Sequence, residues 1–162
     1  MNLKLFILTT FLLVLGCSAD GNNVNNIKDE IASQTEIKLK SAPELLVSAS
    51  EVSVKARIGS YSWGYKNKDG THTGIEASAM GPPLIVQNQV PLTVERNEEL
   101  SLNFEIAPLR YQVRTWDGEN NLTGEYKEID LSRHEGIIIF EILAYFEQGT
   151  VSYAFLVNVE KD

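Results

Sequence analysis

Cysteine is almost missing from this chain: Cys17 stands alone among 162 residues. No disulfide can therefore form within it, and the fold must rest on core packing. Histidine is nearly as scarce, with His72 and His134 only, and neither shows a His-x-x-x-His or similar ligand spacing. No metal is expected. Cations are short as well, 14 Lys plus Arg against 22 Asp plus Glu for a net charge of -8. That balance argues against nucleic acid and against a polybasic membrane contact, since both need clustered Lys and Arg facing phosphate. The chain also lacks a Gly-x-Ser-x-Gly elbow, a phosphate-binding loop and any internal repeat. No catalytic set and no cofactor are expected from such a sequence.

What is present begins at the first residues. Lys4 precedes an uncharged run from Leu5 to Gly16, too short to span a bilayer comfortably, because a spanning helix needs about 20 apolar residues. Positive start, apolar core and small residue are the parts of an export signal. Val14-Leu15-Gly16-Cys17 resembles the lipobox of bacterial lipoproteins. The resemblance implies diacylglyceryl transfer to the Cys17 sulfur, cleavage before Cys17 and, usually, acylation (palmitate in kind) of the new amino terminus. Two chains hold a protein at a membrane stably where one holds it marginally. The expected location is the extracytoplasmic side of the cell membrane, lipid-anchored; the alternative is a secreted protein with an incidental free thiol. Loss of Met1 to Gly16 removes Lys4 and no acid, leaving a mature net charge of -9.

Three segments are expected: residues 1–16 as signal peptide, 17–45 as the lipidated Cys and a polar tether, and 46–162 as one domain. The lead-in from Ser18 to Pro43 is rich in Asn and poor in large apolar groups. As a random coil it would span about 25–30 Å. Beyond it the apolar pattern takes period two, as in half-buried strands. Leu100, Leu102, Phe104 and Ile106 alternate with polar residues, and Gly136 to Phe146 with Val151 to Val159 predict a terminal antiparallel hairpin. Further strands are predicted over 51–58, 61–65, 84–87, 92–94, 111–116 and 126–131. Turn signals lie at 67–70, 81–83, 97–99 and 117–121. Seven or more short strands without a long helical pattern predict an all-β fold, an antiparallel immunoglobulin-like β-sandwich. Trp63, Trp116, Phe104, Phe140 and Phe155 are its candidate core aromatics.

Gly59-Ser60-Tyr61-Ser62-Trp63-Gly64, then Gly81-Pro82-Pro83-Leu84 and Ala144-Tyr145-Phe146 with Gly149-Thr150-Val151-Ser152-Tyr153, resemble a small extracytoplasmic domain of Bacillus-type lipoproteins and membrane proteins. Members often carry Cys where this chain has Ser62, with a second Cys that is absent here. The resemblance implies a sandwich in the cell envelope and brings no catalytic residue.

At strand spacing, Tyr61, Trp63 and Tyr65 share one face. Turned outward, they would form a stacking platform for a glycan or peptide; turned inward, they are core, which is the preferred reading. His72 and His134 are expected on surface turns, and Asp117-Gly118-Glu119-Asn120-Asn121 as a solvated hairpin rather than a calcium loop. The function expected is a non-catalytic binding or protein-interaction module of the envelope, its partner another envelope protein or a glycan, met at a sheet edge or at the Tyr61-Trp63-Tyr65 strand. A second reading is a protease inhibitor presenting Ala79-Met80-Gly81-Pro82-Pro83. The third is a hydrolase, which converging carboxylates in a pocket would revive.

Overall fold

The computed structural model describes residues 40–161; the expected signal peptide, Cys17 and most of the expected tether lie outside the described residues. The longest elements are β9 (Gly136–Phe146) and β10 (Gly149–Val159), paired without a break from Gly149↔Phe146 to Val159↔Gly136. Their β-branched and aromatic residues favour a pleated surface buried on both sides. Phe140, Ile142, Ala144 and Phe146 of β9 join Val151, Tyr153, Phe155, Val157 and Val159 of β10 in the core. The turn between them depends on Gly149, at φ 151°, where an added Cβ would stand 1.9 Å from the Ser62 carbonyl oxygen. No other residue type fits there.

Around this hairpin the chain builds two sheets. The larger runs β4 (His72–Ala77), β3 (Arg57–Lys66), β10, β9, β7 (Arg110–Trp116), β8 (Leu122–Tyr126). Strand β5 (Leu92–Val94) adds in parallel to the end of β10; every other pairing is antiparallel. The smaller sheet is β2 (Val52–Lys55), β1 (Leu45–Ala49), β6 (Ser101–Phe104). Leu45, Val47 and Ala49 of β1 lie in one core with the inner residues of β9 and β10. Phe104 meets Phe146 and Tyr153 edge-on at 6.3 and 6.0 Å. The domain is thus an all-β sandwich of two packed sheets.

Several sequence expectations need correction. Leu84 to Gln87 is no strand: Pro82–Val86 is a short helix, α1, capped by the Gly81 carbonyl, which accepts from Leu84 and Ile85 N–H. Two prolines at the first turn preset φ near the helical value and lack the N–H groups a ladder needs, which outweighs the β-prone Ile85-Val86. The strand expected over 126–131 lies earlier, as β8, because the Asp117–Asn121 turn closes directly onto Leu122. Leu131–Arg133 instead forms a 3-10 turn capped by Asp130. The 51–58 strand divides at Ala56, where the chain leaves the small sheet for the large one. Two strands were not anticipated. β1 includes Leu45, fully buried although assigned to the tether, and β4 has only Ile75 as a large apolar residue. An edge strand buries little and leaves little signal in sequence.

Candidate functional site

The Tyr61, Trp63 and Tyr65 side chains of β3 turn toward the core. Trp63 is 1% exposed and meets Phe146 edge-on at 5.4 Å, while Tyr61 and Tyr65 are half-buried against the core. Lys40 Nζ stands 5.8 Å from the centre of the Tyr65 ring. No outward aromatic platform exists on this strand. Trp63 and Tyr65 are among the residues lining an 830 Å³ hollow beside the β9–β10 turn.

The histidines are far apart in the fold and serve different surroundings. His72 is exposed at the start of β4. His134 is half-buried, edge-on to Phe140 at 5.5 Å and to Tyr126 at 6.2 Å, and loss of water pushes its pKa down. Asp117 accepts hydrogen bonds from the Asn121 and Glu119 N–H groups and from Asn121 Nδ2, and its pKa is lowered chiefly by the Asn121 side chain. Those are the bonds of a closed Asx-type turn. Among the described residues no group of three His, Cys, Asp or Glu is placed to hold a metal ion.

Sequence reasoning missed two places. The first is a 460 Å³ cavity on the outer face of the large sheet, roofed by residues 79–82 and Ile85. A bulge makes room for the roof: Val151 pairs with Tyr61 but Tyr153 with Ile58, so Gly59 and Ser60 together oppose Ser152. Bulges of this kind re-aim a strand locally. A Cβ on Gly59 would lie 3.0 Å from Ser152 Oγ and 3.3 Å from Ile85 Cδ1. Behind it Glu141 is 7% exposed; it accepts from Ser152 Oγ at 2.5 Å and from Trp116 Nε1 at 3.0 Å, with Arg114 Nη1 at 3.8 Å. Arg114 is directly opposite both Glu141 on β9 and Glu125 on β8, and donates to Glu125 at 2.9 Å. Glu76 also lines the cavity, so two carboxylates meet there. Both oxygens of Glu141 already serve protein donors, however, and Ser152 spends its proton on Glu141. Buried polar atoms are satisfied in this way when water is shut out.

The roof is the segment considered for protease inhibition. Pro82 and Pro83 are buried, and Ala79 N–H donates to Ser60 Oγ. Ala79 and Met80 are exposed, Met80 at 63%. The proline pair anchors α1 to the sheet rather than stiffening a projecting loop.

The second place is a 940 Å³ groove where the small sheet stops at β6. Leu100, Leu102, Phe104, Tyr111, Ile129 and Leu131 give it apolar walls, and Arg96, Glu98, Glu99, Lys127, Glu128 and Asp130 a mixed polar rim. Strand β6 pairs with β1 only. Glu105 N–H donates to the Glu44 carbonyl across the extension of that ladder, and antiparallel residues alternate between bonding inward and pointing away. The N–H and C=O groups of Leu102 and Phe104 therefore point to the open edge, and neither residue has a main-chain partner there among the described residues. Arg96 lines the same groove; its Nη2 reaches Glu135 at 3.2 Å, and its Nε is buried without a hydrogen-bond partner among the described residues.

Compared with protein-family models, with curated proteins and with solved structures, the chain has no match.

Proposed function

We propose that the protein is a membrane-anchored extracytoplasmic lipoprotein whose immunoglobulin-like sandwich acts as a non-catalytic interaction module in the cell envelope. The observation that carries the binding half is the groove beside β6, where apolar walls and unpaired main-chain groups occur together. Exposed strand edges are templates for another chain, and β6, four residues long, carries no proline or lysine. The functional atoms of Glu141 and Ser152 bond each other and Trp116, which supports a structural role for that pair. Support for the immunoglobulin-like description comes from the two-layer packing and from chain crossings between sheets after β2, β5 and β6.

The anchoring half rests on Val14-Leu15-Gly16-Cys17. A lipidated Cys17 would hold the sandwich close to the bilayer, with an acidic surface that resists collapse onto anionic lipid. The test is cell fractionation of the wild type against Cys17→Ser. The wild type is expected in the membrane fraction and the variant in the soluble one. A Cys17→Ser protein that stays with the membrane would overturn the proposal.

A further inference from the structure

We infer that the groove takes an extended segment of another protein, added as a fourth strand beside β6, with apolar side chains at alternate positions and a carboxylate beside Arg96. This rests on the interaction-module reading and specifies its partner. Three observations select that occupant. Two N–H and two C=O groups, from Leu102 and Phe104, line the open edge without partners among the described residues, and only a peptide main chain offers donors and acceptors at matching spacing. Next to them Leu102, Phe104 and Tyr111 are incompletely buried: Tyr111 is 39% exposed although its ring lies 5.9 Å from that of Phe104. Alternate apolar side chains of an added strand would cover this gap between the sheets. Arg96 lines the groove with its side chain one-third exposed, so its guanidinium gives the rim a cation that a carboxylate of the added segment can meet.

A second copy of this chain is the weaker occupant. Each mature chain carries a net charge of -9, and β6 is flanked by Glu98, Glu99 and Glu105, so edge-to-edge pairing of two copies would bring like charges together.

The edge can be blocked without touching the internal ladder. Leu102→Pro deletes the outward N–H and the Leu102 side chain from the groove wall and leaves the β1–β6 hydrogen bonds in place, a position where proline is tolerated on an edge strand. Arg96→Gln removes the charged donor and leaves β6 alone. The probe is a phage-displayed library of random linear dodecapeptides, selected on the full-length protein in detergent. Enriched peptides are expected to alternate apolar and polar residues and to carry Asp or Glu. Their affinity is expected to fall about tenfold or more in each variant, and to be unchanged in Val90→Glu, a fully different surface at 82% exposure. Affinity is also expected to be the same in Cys17→Ser, so that failure of the anchor and failure of the groove are separable. Circular dichroism of each variant guards against simple unfolding. The inference is overturned if no peptide is enriched, if enriched peptides lack the alternation, or if both groove variants bind as well as the parent. A micromolar dimer that Leu102→Pro dissolves would likewise overturn it, in favour of a second copy.

Discussion

At the residue scale the chain separates side chains that hold the sandwich from those that line the groove beside β6. Trp63 belongs to the first group: buried against Phe146, it is a tie between β3 and the central hairpin. Trp63→Ala is expected to lower unfolding free energy by about 3–5 kcal/mol, the usual cost of emptying a large aromatic site, measured by urea denaturation. A loss under 1 kcal/mol would contradict its core role. That Tyr61, Trp63 and Tyr65 share a face was legible from period two alone. Which face they share was not, because inward and outward turns of a strand have the same spacing. The Glu141 network was illegible for a different reason: its partners Trp116 and Ser152 come from other strands, and only strand register brings them together. Arg96 and the main-chain groups of Leu102 and Phe104, unpaired among the described residues, carry no sequence signal at all, since an unmade bond leaves no residue pattern.

Elements were legible in proportion to how much they bury. β9 and β10 are central, long and apolar, and the predicted terminal hairpin is the one observed. β4 and β1 escaped notice, one because it is an edge, the other because it follows a polar lead-in. α1 was misassigned because its apolar residues are β-prone, whereas the prolines before them decide the backbone. The turns between elements depend on ionised carboxylates. Hydroxyls of Thr71, Ser50 and Ser132 hold Asp69, Glu98 and Asp130 below the ordinary carboxylate range, as the Asn121 amide does Asp117. Depressed folded values mean that these contributions are present above the unfolded pKa and are lost as pH falls through the folded one. His134 acts in the same direction from a higher starting point: burial favours its neutral form, so stability declines as pH drops below the ordinary histidine value of 6.5. Thermal denaturation against pH is therefore expected to show a decline that starts near pH 6.5 and steepens below about pH 4. Replacing His134 with Phe should remove the upper part only. At the other end, burial raises the Tyr153 hydroxyl, which donates to the Pro43 carbonyl, so its contribution is lost as pH rises above about 10. A melting temperature flat from pH 7 to pH 3 would contradict this account of the turns.

For the whole molecule, the two-sheet sandwich was predicted by many short strands without a helical pattern, and two packed sheets are observed. The inequality of those sheets was not legible. Six strands lie side by side in the larger sheet's main path and three in the smaller, which leaves the β6 edge and its groove beside an otherwise closed core. In our proposal an acidic chain with one cysteine and a lipobox-like start is a module held at a membrane to meet an extended segment there. Position comes first in this account, since a groove of modest chemistry gains from high local concentration at a surface. The most direct test is the intact mass and amino-terminal peptide of the protein purified from membranes. Our account predicts a mature chain beginning at Cys17 and carrying a thioether-linked diacylglycerol. A chain that retains Met1, or that begins elsewhere with Cys17 unmodified, would contradict it.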